Sequence, residues 1–145
     1  MQVYLVLIIA TLIISLCFFI KNKNNYIGFN LLILIVSVFL FLFNISMFGQ
    51  VLYWISLLLL FFYSFLKKRK KKFTLILFTL PFLIDETFRV QHYPKFFFLN
   101  LLFLIPFILY IYIILNYKKY KKEFSILTMI IGLNTITLLK MLNYL

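Results

Sequence analysis

Acidic residues, cysteine, histidine and glycine are all scarce in this 145-residue chain, and each scarcity excludes a class of protein. Asp and Glu total three, and charged residues make up 12% of the chain, whereas a soluble domain carries about 25%. The single cysteine, Cys17, excludes an intrachain disulfide. One histidine and three acids leave few side chains for a catalytic or metal site, and no glycine-rich phosphate loop is present. We therefore expect no enzymatic activity, no cofactor and no metal.

Apolar residues dominate what is present, at 66% of the chain. They form segments separated by short polar or charged breaks, and about 20 helical residues cross a hydrocarbon core of about 30 Å. Helices are expected, because an open strand edge in lipid leaves backbone groups unpaired. The net charge of +12 comes mostly from clusters between these segments and not from a soluble basic face. The expected partners are thus the lipid bilayer and other membrane proteins, and not nucleic acid.

The segmentation predicts an all-α, polytopic transmembrane bundle of about six spans that forms one domain over residues 1–145. No charged residue occurs between Lys23 and Lys67, a stretch about twice as long as one crossing requires, so the chain must turn there. The predicted turn is NISMFGQ, residues 44–50. The predicted spans cover residues 3–20, 26–43, 48–66, 70–89, 96–115 and 124–139.

The distribution of Lys and Arg predicts the orientation. The breaks after the first, third and fifth predicted spans carry two, six and four cations, and the opposite side of the bundle carries three. Cationic loops are retained in the cytoplasm, so both termini are predicted to face outward from a cell inner membrane. The six central cations, which we call the basic run, act in this interpretation as a topology determinant or as a patch for anionic lipid. They are Lys67, Lys68, Arg69, Lys70, Lys71 and Lys72.

Most of the unusual side chains fall in one segment near the outer surface, DETFRVQHYPK. The apolar part of the fourth span, residues 73–84, is only about 18 Å long as a helix, so Asp85 and Glu86 must be drawn toward the membrane. Arg89 lies within helical reach of both acids, and His92 titrates near neutrality. These four residues, the outer cluster, form a candidate proton, ion or partner site. The alternative is a helix cap whose polar groups rest among the lipid headgroups.

Small and hydroxyl residues predict where helices pack closely. Ser125, Thr128, Gly132 and Thr135 recur at steps of three, four and three along the last span, so they share one face. We call them the seam residues and expect a helix-packing contact there. Thr11 and Ser15 form a weaker stripe of the same kind on the first span.

The segment FRVQHYP, residues 88–94, resembles an outer-loop element of small bacterial inner-membrane proteins. That element has the form Phe, Lys or Arg, two residues, His, Trp or Tyr, then Pro, and it occurs in the motor subunit of the gliding-motility and type IX secretion machinery. Arg89, His92 and Pro94 match its basic, histidine and proline positions. Tyr93 replaces the more usual Trp, and Lys95 and Phe96 replace the Gly-Ala that follows. The resemblance implies a bacterial inner-membrane setting, and we do not infer motor activity from it.

Three functions are compatible with these features. The predicted segments outside the membrane are short, and the sequence contains no recognisable group of catalytic residues. Both features favour a small accessory or assembly subunit of a larger membrane complex. The outer cluster instead favours a proton- or ion-coupled carrier or channel component. A third function is a self-immunity protein against a membrane-active toxin, which fits the same sequence features as the accessory subunit does.

Overall fold

The computed structural model describes residues 2–43, 46–90 and 104–142, and these ranges form seven helices without a strand. The prediction of an all-helical chain is therefore confirmed for them. The helices, renumbered in chain order, are α1 (Gln2–Lys21), α2 (Asn25–Leu42), α3 (Ser46–Phe65), α4 (Arg69–Val90), α5 (Leu104–Leu115), α6 (Tyr117–Tyr120) and α7 (Phe124–Leu142).

Three helices are both long and apolar enough to cross a membrane, in the segments Tyr4–Lys21, Asn25–Leu42 and Met47–Phe65. By this measure the described residues provide three spans and not the six predicted. Helix α4 has 22 residues, about 33 Å, but it begins in the basic run and carries two acids near its end. Only 12 residues of α5 are described, about 18 Å of helix, and residues 96–103 of the predicted fifth span lie outside the described residues.

The predicted turn at residues 44–50 is wrong over most of its length. Helix α3 begins at Ser46, so Gly49 and Gln50 are helical. Gly49 lies at a close approach to α2, where an added Cβ would be 3.1 Å from the backbone oxygen of Ser37 and where the Ser37 hydroxyl donates a 2.7 Å hydrogen bond to the Gly49 carbonyl. Glycine and polar residues suggested a loop, but here they allow two helices to approach.

The helices bury several polar side chains within a mostly apolar core and expose many large apolar side chains. Ser15, Asn30, Ser37, Ser56 and Ser64 are fully buried, whereas large apolar residues on the same helices are exposed. The exposed set includes Val6, Ile13, Ile20, Phe29, Leu32, Phe39, Met47, Phe48 and Phe62. In water this arrangement would be unfavourable, because contiguous apolar surface would be hydrated while hydroxyl and amide groups were desolvated. It suits a hydrocarbon surrounding, where polar groups must find partners inside the protein.

The chain divides into two compact units. One joins α1 to α6 and α7, and the other contains most of α2 together with α3 and α4. In the first unit α1 and α7 run antiparallel, since Asn22 near the end of α1 meets Tyr117, while Thr11 lies against Gly132. In the second unit α3 and α4 pack against each other and are joined by the turn that contains Lys67 and Lys68.

Candidate functional site

The two acids of the outer cluster lie on the packed face of α4. Leu75, Phe78 and Phe82 form a buried stripe along this helix at the three-to-four-residue spacing of one helix face. Asp85 and Glu86 continue that stripe and are 2% and 3% exposed. They lie inside the helix, which continues to Val90, and not at its end. Buried carboxylates are costly unless they are paired, protonated or bound to a cation, so this position is the strongest chemical feature of α4.

The other two members of the outer cluster are only partly placed. Arg89 belongs to the last turn of α4, and its side chain is not among those described. His92 lies outside the described residues, as do Tyr93 and Pro94 of the segment that resembles the bacterial outer loop. The structure thus brings Asp85 and Glu86 together and leaves the predicted contribution of Arg89 and His92 as a prediction.

The third acid, Glu123, is also buried, although no sequence pattern predicted it. It is 0% exposed although it follows the lysine-rich segment KKYKK. Its backbone N–H donates to the carbonyl of Tyr120, and its own carbonyl accepts the first backbone bond of α7 from Leu127. Tyr120 beside it is fully buried as well. This basic break is therefore an ordered helix–turn connection, with Lys118, Lys119, Lys121 and Lys122 exposed around it.

Two polar contacts set the register between α2 and α3. The Asn30 amide donates to the carbonyl of Ser56 at 3.0 Å, and the Ser56 hydroxyl donates back to Asn30 Oδ1 at 2.5 Å. Two turns away, Ser37 bonds the carbonyl of Gly49. Asn30 and Ser37 are seven residues apart, as are Gly49 and Ser56, so both contacts fall on one antiparallel seam. Sequence reasoning missed these residues, and the signal that could have found them is this sevenfold spacing of polar or small residues within apolar runs.

Two of the seam residues, Ser125 and Gly132, contact α1. Ser15 donates a 2.7 Å hydrogen bond to the backbone carbonyl of Ser125. A Cβ added at Gly132 would lie only 2.5 Å from Cγ2 of Thr11, so the glycine permits this approach. Thr128 and Thr135 instead donate to carbonyls of their own helix, each at 2.8 Å.

Aromatic residues close the lysine-bearing end of the same contact. Phe18 packs against Phe124 with ring centroids 4.6 Å apart, and Tyr117 packs edge-on against Phe124 at 5.0 Å. The Tyr117 hydroxyl accepts a 2.9 Å hydrogen bond from the Asn22 side chain. Together these contacts fix α6 and the start of α7 against the end of α1.

A groove of about 310 Å³ runs between α3 and α4. It is lined by apolar side chains and by two polar ones, Trp54 and Thr87. The indole N–H of Trp54 donates to the Thr87 hydroxyl at 3.1 Å, and that hydroxyl donates to the carbonyl of Leu83 at 2.7 Å. The remaining lining residues are Leu58, Phe61, Leu80, Leu83, Ile84 and Phe88.

The basic run occupies the turn between α3 and α4 and the first helical residues of α4. Lys68, Arg69 and Lys70 are exposed. The Lys67 ammonium lies 4.1 Å from the ring centroid of Tyr63, and that of Lys72 lies 4.4 Å from the ring of Phe65. Such cation–π contacts are typical of side chains held at a membrane interface, with the ring in the apolar layer and the charge above it.

No group of three His, Cys, Asp or Glu side chains comes together within the described parts of the chain. Comparison with known proteins adds no functional assignment: the chain matches no protein-family model, no curated protein and no solved structure.

Proposed function

We propose that this protein is a small, non-enzymatic integral membrane protein that acts as an accessory or assembly subunit of a larger membrane complex. The observation that carries the proposal is that Ser15, Asn30, Ser37 and Ser56 are buried while many large apolar side chains are exposed. These polar groups join one helix to another, so their role is to hold the bundle together.

The proposed topology has six spans, with both termini outside and the three lysine-rich breaks in the cytoplasm of a bacterial cell. Antiparallel packing of α1 with α7 supports an even number of crossings between them, and the excess of cations on one side supports the orientation. The resemblance of residues 88–94 to a bacterial outer loop supports the inner membrane as the location.

Helix α1 offers the surface on which another membrane protein would pack. It exposes apolar side chains around much of its circumference, while Ser15 is buried against α7. The exposed residues are Leu5, Val6, Ile9, Ile13, Ile14, Leu16 and Ile20. A helix with so little of its surface covered is suited to bind a second membrane protein through shape and van der Waals contact.

Crosslinking in native membranes tests the subunit proposal. A tagged copy would be crosslinked, solubilised mildly and analysed by mass spectrometry for proteins that co-purify in stoichiometric amount. We expect a membrane-protein partner, and substitution of Ile9 and Ile13 by Trp should reduce its recovery. A matched pair, Phe29→Trp and Leu32→Trp on α2, controls for added bulk. Recovery of the tagged chain alone, or only with its own copies, contradicts the proposal.

The burial of Asp85 and Glu86 favours a second candidate, a proton- or ion-coupled carrier or channel component. Intramembrane carboxylates on a packed helix face commonly bind the transported proton or cation. Helix α4 also contains Pro81, which removes one backbone hydrogen bond and allows the helix to bend below the acids.

Flux measurements separate the two candidates. If the carrier proposal is correct, Asp85→Asn or Glu86→Gln abolishes proton or cation flux in reconstituted vesicles while the protein remains folded. The matched control is Glu123→Gln, which neutralises the other buried acid. If the protein is a subunit, none of the three variants changes flux, and any effect appears as lost partner binding or stability.

A further inference from the structure

The α3–α4 groove lies on two helix stripes that continue to the basic run. On α3 the lining residues Trp54, Leu58 and Phe61 follow one another at steps of four and three. The next step of four reaches Phe65, which is exposed. One face of α3 therefore presents a continuous apolar track from the groove to the turn.

Helix α4 repeats this arrangement on the other wall. Thr87, Ile84 and Leu80 line the groove at steps of three and four. Two further turns along the same face lead to Phe73, which is exposed next to Lys72. The two apolar tracks thus continue past the last groove residues, Phe61 and Leu80, and each ends in an exposed aromatic ring beside the cations.

Positive charge is concentrated where the two tracks end. The Lys72 ammonium lies 4.4 Å from the ring centroid of Phe65, which places a cation directly at the end of the α3 track. Lys68, Arg69 and Lys70 are exposed beside it, and the first turn of α4 contains no acidic residue. Asp85 lies 13 residues beyond Lys72 on α4, about 20 Å along the helix.

The end of the groove nearer the basic run lies within one leaflet of a bilayer, whereas its far end, at Thr87 and Phe88, lies about 23 Å from Lys72 along α4 and beyond the midplane. Leu80 in the groove lies eight residues from Lys72, about 12 Å along α4. Half of a hydrocarbon core of about 30 Å is about 15 Å. A lipid whose phosphate rests at the level of the cations therefore has its acyl chain at the depth of Phe61 and Leu80.

We propose that the α3–α4 groove and the basic run together form a binding site for one anionic phospholipid. The exposed cations Lys68, Arg69 and Lys70 bind its phosphate, and an acyl chain lies between Phe65 and Phe73 and along the groove. The site requires the membrane location but not the subunit role, so loss of lipid binding and loss of a partner protein are separate outcomes.

Native mass spectrometry of the full chain in mild detergent tests this site. The protein is titrated with phosphatidylglycerol and, separately, with phosphatidylcholine of the same acyl chains. We expect one phosphatidylglycerol to bind at least about tenfold more tightly, because each cation near an anionic surface contributes about fivefold in affinity. Equal affinity for the two lipids overturns the proposal.

Two variants separate the charged part of the site from the apolar part. The triple variant K68Q/R69Q/K70Q should bind phosphatidylglycerol roughly a hundredfold more weakly. Its matched control, K118Q/K119Q/K121Q, removes three exposed cations elsewhere and should bind as the unmodified protein does. Leu80→Trp should fill the groove and weaken binding without a change of charge, whereas Leu104→Trp, at another exposed position, should have no effect.

Three results would contradict the assignment. If the triple variant binds phosphatidylglycerol as tightly as the unmodified protein, the cations are not part of the lipid site. If Leu80→Trp does so, the groove is not part of it. Competition by glycerophosphate as effective as that by the intact lipid identifies a site for a free phosphate anion and overturns the lipid assignment.

Discussion

The Ser15 hydroxyl donates a 2.7 Å hydrogen bond to the backbone carbonyl of Ser125, joining two residues that are 110 positions apart. The bond is buried and links α1 to α7, the first and last helices of the described chain. The Ser125 hydroxyl, by contrast, is buried without a hydrogen-bond partner among the described residues. The same contact therefore contains one serine hydroxyl that bonds across the helices and one that does not.

Removing these two hydroxyls should have different effects. Ser15→Ala should lower the free energy of unfolding by about 0.6–1.7 kcal/mol, the average and the maximum measured for hydrogen bonds between membrane helices in double-mutant cycles. Ser125→Ala is the matched control and should cause no loss, because its hydroxyl has no described partner and burying it is unfavourable. Unfolding by SDS titration in mixed micelles measures both. Equal losses would contradict the assigned bond.

Gly132 should tolerate no side chain while Thr11 is present. In Gly132→Ala the new Cβ would lie 2.5 Å from Cγ2 of Thr11, whose hydroxyl is held by a 2.8 Å bond to the carbonyl of Ile8. We expect a loss of about 1–3 kcal/mol in the same titration, as for other overpacked contacts.

The second-site variant Thr11→Ala removes the clashing methyl group. In the Gly132→Ala background it should therefore recover part of the lost stability, although Thr11→Ala alone should be neutral or slightly destabilising. Absence of any recovery would show that α1 and α7 do not approach at this point.

Asn30 and Ser56 should be energetically coupled. Either Asn30→Ala or Ser56→Ala leaves a buried polar group without its partner, which costs about 1–3 kcal/mol. The double variant should lose less than the two single losses added together, with a coupling of at least about 0.5 kcal/mol. Thr79→Ala is the control, because the Thr79 hydroxyl donates to carbonyls of its own helix, at 2.9 Å to Leu75 and 3.3 Å to Ile76. Additive losses in the double variant would contradict the two reciprocal hydrogen bonds between Asn30 and Ser56.

Composition and charge pattern were enough to predict an all-helical chain. Long apolar runs separated by cations are compatible with few structures other than helices, since a helix satisfies the hydrogen bonds of its own backbone groups in lipid. The boundary between α2 and α3 could not be predicted in the same way. Ser46, Gly49 and Gln50 are residue types common in turns, but Gly49 is helical and lies where α3 approaches α2, with its carbonyl accepting a hydrogen bond from Ser37. That contact depends on a partner helix and not on local preference.

The sequence predicted how far along the fourth span Asp85 and Glu86 lie, but not on which face of the helix. The short apolar stretch of residues 73–84 required Asp85 and Glu86 to be drawn into the fourth span, but it did not indicate which face of the helix they occupy. The structure places them on the buried stripe with Phe78 and Phe82. Glu123 was not predicted at all, because its burial depends on how Tyr120 and α7 pack and its neighbours in sequence are lysines.

Single-cysteine labelling tests the proposed membrane topology most directly. In a Cys17→Ser background, cysteine is placed at Met47, at Lys68 or at Lys121, all of which are exposed. A membrane-impermeant maleimide is then added to bacterial cells whose outer membrane has been permeabilised. We expect Met47→Cys to be labelled in these cells, whereas Lys68→Cys and Lys121→Cys should react only after lysis. Labelling of Lys68→Cys before lysis would place the basic run outside and contradict the topology.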